Sequence, residues 1–399
     1  MKFMKFASFL AATVSLVAAD SGDVKAKGSS GTEVSTEDEF FGGGSGDGGC
    51  IGRKDLPFLA TNVELTEDGD EYYFGFHSRD TESETKFLKD VRYCPDAGSF
   101  GAYRIYGEVV PLEEFKAAVE EEVRTNGNID HVFYEIHGVG IDPETTFLDS
   151  YRFNEMHGEN TGYLMIPMSW RSHWGVALTL YDIDRNGPAI EAGKTFAASM
   201  DVFKSSVPTS IMVHSMGNWV ARVMAQNTVD PEIVFENMFM VGADARMDLF
   251  STDFNPAAPQ AINVKGNTVK DDVYLDIPED ELRENGGYAI TQIANHVHVI
   301  WNSADAALDI RELFQVGYGE NVRRALGKVG DESETLTELP YFQERVTYHD
   351  FSNMGIPFPG HEYQFDQIAV DVYAEFKSDK NTVATTSRFN TLRANANVD

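Results

Sequence analysis

The sequence is poor in cysteine and in basic residues. Cys50 and Cys94 are its two thiols in 399 residues, and neither has the paired spacing of a zinc site. Lys and Arg number 32 against 64 Asp and Glu, which gives a formal charge of −32. A field of that sign repels phosphate backbones and anionic lipid surfaces. Nucleic acid is therefore not an expected partner, and the acidic surface favours solubility.

Long apolar runs are missing beyond the first residues, so no integral membrane segment is expected after them. At the N-terminus, basic residues 1–5 precede the apolar run 6–17 and the small residues Ala18 and Ala19. This order is typical of a secretory signal peptide over 1–19, because the apolar run is too short to span a bilayer. A buried N-terminal helix is the alternative. We therefore expect a secreted, extracellular protein.

Composition divides the rest of the chain into a linker, a domain and a tail. Residues 20–50 are rich in Gly, Ser and acids and are expected to form a disordered linker, and residues 378–399 form a polar tail. The domain covers 51–377. In an oxidising compartment Cys50 and Cys94 are expected to form one disulfide, with two buried free thiols as the alternative.

Within the domain, strand-like and helix-like patterns alternate. Strand patterns lie at 71–77, 90–94, 132–136, 163–168, 209–213, 238–242, 297–301 and 345–349. Helical patterns lie at 111–123, 188–203, 217–227, 306–315 and 364–376. The alternation predicts an α/β fold with a mostly parallel β-sheet flanked by helices. An irregular, acidic stretch at about 246–291 interrupts it and is expected to be a lid-like insertion.

One motif carries the chemistry: Val213-His214-Ser215-Met216-Gly217-Asn218. An apolar strand runs directly into Ser215, and a helical pattern begins directly after it. This is the context of a nucleophile elbow, in which a tight turn exposes the serine hydroxyl at the carboxyl end of the sheet. Ser215 is therefore predicted to be a catalytic nucleophile.

The motif resembles the elbow of the α/β-hydrolases, and especially of a bacterial-type, esterase-like group. The resemblance extends over about 55–377 and includes His137-Gly138, Ser169-Trp170, Met240 to Asp244 and Trp301 to Asp305. Val213 stands where that superfamily usually has a glycine. The resemblance implies an α/β-hydrolase fold and a serine hydrolase acting on carboxylic esters, lipid esters included.

A serine hydroxyl needs a base to take its proton and a carboxylate to orient that base. In the superfamily these residues follow in the order Ser, Asp, His. Asp305, after the strand pattern at 297–301, and His361, after the pattern at 345–349, have that order. Asp305 could instead cap a helix, Asp244 is the rival acid, and His361 could be a hydrogen-bonding loop residue.

The oxyanion hole needs backbone N–H donors, for which Met216 and Val139 are the candidates. No metal site and no cofactor are expected. The segment 182–187 copies the start of a calcium loop, but Gly193 stands where its closing Glu would be. His296 and His298 share one strand face without a third ligand.

The expected substrate is a small-molecule or lipid ester, and the sequence leaves the oligomeric state open. Two alternatives remain: a non-catalytic binding protein that keeps the fold, and a serine peptidase on the same scaffold.

Overall fold

The computed structural model describes most of the domain. It describes residues 58–61, 65–68, 71–74, 85–95, 103–172, 184–185, 187–245, 249–250, 263–264, 267–268, 286–309, 324–330, 342, 344–352, 354, 356 and 360–377. The predicted signal peptide, linker and tail lie outside this part of the chain.

Thirteen strands and seven α-helices of four or more residues are described, together with shorter or non-α helical turns. The strands are β1 (Phe58–Thr61), β2 (Leu65–Asp68), β3 (Glu71–Phe74), β4 (Thr85–Pro95), β5 (Tyr103–Val110), β6 (His131–Ile136), β7 (Tyr163–Ser169), β8 (Thr209–His214), β9 (Phe235–Val241), β10 (Asn263–Val264), β11 (Asn267–Thr268), β12 (Ala294–Trp301) and β13 (Val346–Asp350). The helices are α1 (Leu112–Thr125), α2 (Pro143–Phe153), α3 (Pro188–Ala198), α4 (Gly217–Asn227), α5 (Gly286–Ile293), α6 (Leu326–Val329) and α7 (Gln367–Glu375). A π-helical turn, Asn154–Gly158, and the short helix Glu159–Thr161 continue α2.

The strands form one large sheet and a separate hairpin. The large sheet has eleven strands in the order β13-β12-β9-β8-β6-β7-β1-β4-β5-β3-β2, and β10 pairs with β11. Neighbours from β13 to β1 are parallel, whereas those from β1 to β2 are antiparallel. The predicted α/β class with a mostly parallel sheet is confirmed.

Side chains that alternate along the central strands supply two hydrophobic clusters, one on each face of the sheet. In β6, Val132, Tyr134 and Ile136 belong to one cluster and Phe133 to the other. The first cluster includes apolar residues of α1, α3, α4 and α5, and the second includes those of α7. Both faces are thus covered by helices, which is why these strands are apolar throughout rather than alternating.

Most predicted elements occur within a few residues of their expected bounds, but the predicted helix 188–203 does not run through. It ends at Ala198 and is followed by a 3₁₀ turn, Met200–Phe203. The Ser199 N–H bonds to the Phe196 carbonyl at 3.0 Å, an i to i−3 contact that tightens the last turn. Only the first residues of the predicted helix 306–315 are described, and they form turns up to Leu308.

The described part of the predicted insertion is limited to Leu249, Phe250, the β10–β11 hairpin and α5. Ile290 of α5 is fully buried in the first cluster, so the end of this stretch is part of the core. Within the described residues, no helix is long and apolar enough to cross a bilayer.

Cys94 lies buried in β4, and no free cysteine occurs among the described residues. Cys50 lies outside them, so the Cys50–Cys94 pairing stays a prediction.

Candidate active site

Parallel strands place the residues that follow them at one edge of the sheet. Ser215 follows β8, Gly242 follows β9, Asp305 follows β12 and His361 lies in the segment after β13. The carboxyl edge of such a sheet is where open α/β proteins bind ligands. The fold therefore brings three residues that are far apart in the sequence to one edge.

Ser215 forms a sharp turn between β8 and α4. Its φ of 52° lies in the left-handed region, which a residue with a side chain enters only at a cost. The turn is held by backbone hydrogen bonds, from Ser215 N to Val241 O at 3.0 Å and from Asp244 N to Ser215 O at 3.2 Å. These bonds tie the serine to the end of β9 and hold its strained conformation.

Asn218 adds a side-chain clamp to the same turn. Its Nδ2 donates to the carbonyl oxygens of Val213 at 2.9 Å and of Ser215 at 3.0 Å, and the residue is fully buried. Asn218 belongs to the sequence motif, but the motif by itself indicates no role for it. An asparagine three residues after the nucleophile, on the first turn of a helix, is the signal that could have indicated this clamp.

Two glycines let the elbow pack closely against the end of β6. A Cβ on Gly217 would lie 2.6 Å from the carbonyl oxygen of Ile136, and one on Gly138 would lie 2.8 Å from Ser215 Cβ. Val213 instead points into the first hydrophobic cluster, where it is fully buried. The close contact with the end of β6 is therefore made by Gly217. For this reason a valine can be accommodated two residues before Ser215.

His361 and Asp305 form a buried pair. His361 Nδ1 lies 2.7 Å from Asp305 Oδ2, and Asp305 is completely inaccessible. The other carboxylate oxygen, Oδ1, accepts from the backbone N–H of Ala307 at 3.1 Å and of Leu308 at 3.2 Å. Asp305 therefore has both of the roles that the sequence left open. One carboxylate oxygen caps the following turn, and the other orients the His361 imidazole.

Asp244, the rival acid, is buried at the same edge, but it is not the hydrogen-bonding partner of His361. Its backbone N–H supports the Ser215 turn. Its charge acts on His361 at longer range, as a minor cause of the raised pKa of that residue.

Gly242 lies between the serine turn and the His–Asp pair. Its φ is 50°, and a Cβ there would lie 3.3 Å from His361 Nδ1 and 3.5 Å from Asp305 Oδ2. Ser215 and His361 are both at least nine-tenths buried. Among the described contacts no hydrogen bond joins Ser215 Oγ to His361, and such bonds commonly tighten only when substrate binds.

The charge state of His361 is set by opposing effects. Burial disfavours the imidazolium, but the charge and hydrogen bond of Asp305, helped by the charges of Glu362 and Asp244, outweigh it and raise the pKa of His361 to about 9. The imidazole is therefore protonated at neutral pH and becomes a free base only in alkaline solution.

His214 supports His361 from the strand side. Its Nε2 lies 3.1 Å from the carbonyl oxygen of His361, and since a carbonyl only accepts, Nε2 carries the proton. Burial lowers the pKa of His214, so this tautomer stays neutral. The position of His214 next to the predicted nucleophile is the signal in the sequence that could have indicated this role.

The two candidate oxyanion donors lie in different segments of the chain. Met216 begins the turn into α4, and Val139 lies in the loop after β6. Within the described residues, neither backbone N–H has a hydrogen-bond acceptor, so both remain available to a ligand.

His137 and Trp170 fasten the loop that carries Val139. Trp170 donates through its ring nitrogen to His137 O at 2.8 Å and through its backbone N–H to His137 Nε2 at 3.1 Å. The rings stack with centroids 5.4 Å apart. His137 Nδ1 donates to Gly138 O at 2.7 Å, which fixes the tautomer. Both residues belong to the segments that resemble the α/β-hydrolases, but the sequence does not indicate that they contact each other.

His298, one of the two histidines on β12, is buried in the middle of that strand. His298 bonds to His349 at 3.2 Å and to Asn237 at 3.1 Å inside the protein, and burial lowers the pKa of His349 to about 3. The pair is therefore a neutral structural network. Of the calcium-like segment 182–187, only Asp184, Arg185 and Gly187 are described.

Comparisons with known proteins add no argument about this chain. No protein-family model matches the chain, and no curated protein matches it. Among solved structures, the chain is similar to the crystal structure of a mutant of an esterase called rPPE. That likeness has a TM-score of 0.30 and 14% identity over 79% of this chain and 83% of the other. The functional argument therefore rests on the geometry of the site.

Proposed function

We propose that the protein is a serine hydrolase of the α/β-hydrolase superfamily that cleaves carboxylic esters. The observation that carries the proposal is the 2.7 Å bond between His361 and buried Asp305, at the sheet edge where Ser215 forms its strained turn. A structural serine has no need of left-handed backbone, nor a structural histidine of a buried carboxylate partner.

In the proposed reaction, His361 accepts the proton of Ser215 Oγ through Nε2 while the oxygen attacks the ester carbonyl. Asp305 keeps Nδ1 protonated and stabilises the imidazolium that forms. The N–H groups of Met216 and Val139 donate to the oxyanion of the tetrahedral intermediate. His361 then protonates the leaving alcohol, which departs as the acyl-enzyme forms.

Deacylation repeats the sequence with water. His361 takes a proton from the water as it attacks the acyl carbonyl, and returns that proton to Ser215 as the acid leaves. No metal or cofactor is needed for either half. A small-molecule or lipid ester is the proposed substrate.

A fluorophosphonate probe tests the proposal directly, because it reacts with an activated serine irrespective of substrate. We expect stoichiometric labelling of the wild type at Ser215 and none in Ser215→Ala. A folded wild-type protein that stays unlabelled and hydrolyses no ester would favour the non-catalytic alternative. A panel of p-nitrophenyl esters and peptides then distinguishes an esterase from a peptidase.

Secretion, the Cys50–Cys94 disulfide and a lid formed by the insertion at about 246–291 belong to the same proposal. They rest on the sequence patterns alone, and each has a test in the Discussion.

A further inference from the structure

His214, His361 and Glu362 form a cluster of metal-ligating side chains that includes the proposed catalytic base. One ligand atom from each lies within 4.8 Å of the other two. Two of the residues are buried, whereas Glu362 is exposed to solvent. Within the described part of the chain, no other group of three His, Cys, Asp or Glu side chains comes this close.

The donor set selects the kind of ion. Two imidazole nitrogens with one carboxylate oxygen suit zinc, copper and nickel, whereas calcium and magnesium prefer oxygen ligands alone. A two-histidine, one-carboxylate set with an open position is a known zinc arrangement. The cluster therefore fits a transition-metal ion and not an alkaline-earth ion.

The surroundings of His361 are those of a metal-bound histidine. Such residues almost always donate the second ring N–H to a carboxylate or a backbone carbonyl, which fixes the ring and makes the free nitrogen more basic. Asp305 accepts from His361 Nδ1 at 2.7 Å, so Nε2 is the nitrogen that would bind an ion, in place of the proton it carries at neutral pH. His214 donates its Nε2–H to the His361 carbonyl at 3.1 Å, so Nδ1 is its ring nitrogen that remains for an ion.

We propose that these three residues bind a zinc ion and that the bound ion inhibits the enzyme. Zinc–ligand distances are about 2.0–2.2 Å, so the ligand atoms must draw together around the ion. The exposed Glu362 can swing inward without disturbing the core. The ion would occupy the nitrogen that the proposed mechanism uses as its base, so the inhibition, though not the binding, rests on the proposed function.

Titration calorimetry of the full chain with zinc chloride tests the binding, with calcium chloride as the comparison. We expect one zinc ion per chain and no heat with calcium. On a p-nitrophenyl ester, zinc should inhibit hydrolysis reversibly, and a chelator should restore the rate. Absence of zinc binding would overturn the proposal.

Variants locate the ion. Glu362→Gln removes a charged ligand at an exposed position, and His214→Asn removes a buried one. Each should weaken zinc binding by at least about 10-fold, since changes even to the outer layer of a zinc site have effects of this size. Asp366→Asn and His157→Asn are the matched controls, which should bind zinc as the wild type does. Inhibition is compared with each variant's own zinc-free rate. Zinc binding that is unchanged in Glu362→Gln would overturn the proposal.

Ser215→Ala separates this proposal from the proposed function. The serine is not a ligand, so the variant should bind zinc like the wild type although it has lost hydrolysis. If the wild-type protein bound zinc but hydrolysed no ester, the proposed function would be wrong and the proposed metal site would stand.

Discussion

At the scale of single residues, the raised pKa of His361 is the feature with the largest consequence. A base with a pKa of about 9 is mostly protonated at neutral pH, so it is well oriented by Asp305 but seldom free. Asp305 stabilises the imidazolium that the reaction produces. For the same reason, it lowers the fraction of His361 that is free to act as a base. A substrate that displaces charge or water from the site would shift that balance.

The pH dependence of kcat/KM follows from this charge state. Below the pKa of His361 the fraction of free base falls tenfold per pH unit, so kcat/KM should rise with a midpoint near 9. Glu362→Gln removes a charge that stabilises the imidazolium, and its midpoint should move to lower pH. Profiles between about pH 6 and pH 10 on an activated ester measure this. Asp366→Asn is the control, and a wild-type midpoint near 6 would mean that burial outweighs the neighbouring carboxylates at His361.

The three candidate residues should act as one unit. Ser215→Ala and His361→Ala should each lower kcat by several orders of magnitude, and the double variant should lose little more. Asp305→Asn should also cost heavily, because the imidazole takes the wrong tautomer. Asp244→Asn is the matched control and should cost far less. If Asp244→Asn abolished turnover while Asp305→Asn spared it, the acid would be Asp244.

At the scale of elements, the site depends on how closely α4 approaches the end of β6. The first turn of α4 lies against the carbonyl oxygens of Ile136 and His137, a contact that only Gly217 permits. The same contact fixes the start of α4, next to Met216, against the end of β6. In the proposed mechanism, the geometry of the oxyanion hole therefore depends on this contact.

Gly217→Ala tests this contact. The new Cβ would lie 2.6 Å and 2.7 Å from two backbone oxygens, so α4 must shift. Overpacking of this kind costs typically about 1–3 kcal/mol of the free energy of unfolding. Urea denaturation measures that loss, and fluorophosphonate labelling should slow in the folded fraction. Gly127→Ala is the control, because nothing lies within 4 Å of a Cβ there. Equal stability of the two variants would show that the approach is not close.

The proposed lid is also an element-scale question. Replacing residues 269–285 with a short Gly-Ser linker leaves α5, whose Ile290 is part of the core, in place. We expect this change to alter ester chain-length preference more than the melting temperature. A collapse of the melting temperature with unchanged selectivity in the folded fraction would mean that the segment is structural.

At the scale of the whole molecule, the N-terminal pattern over 1–19 and the two cysteines predict export and one disulfide. The secreted protein should begin near Asp20 and carry a Cys50–Cys94 disulfide. Intact mass before and after reduction and alkylation measures both. Alkylation of two thiols without prior reduction would rule out the disulfide, and retention of residues 1–19 would rule out cleavage.

Local patterns in the sequence were enough for the class of the fold and for the chain positions of the candidate site. Apolar runs such as 209–213 and 297–301 predict buried parallel strands because each strand carries its own hydrophobic signature. The Ser215 motif is local as well, since strand, turn and helix follow one another directly. Asp305 and His361 were placed by their order along the chain.

Only the tertiary structure decided which groups touch. The bond of His361 to Asp305 and not to Asp244, the clamp of Asn218 and the pairing of His137 with Trp170 all join residues through the packing of the sheet. So does the raised pKa of His361, which depends on burial and on charges from three other positions. Contacts between residues distant in sequence leave no local pattern, because they arise from the register of strands and the approach of helices. The sequence therefore indicates the chemistry of this site, whereas the geometry and the charge state of the site depend on the tertiary structure.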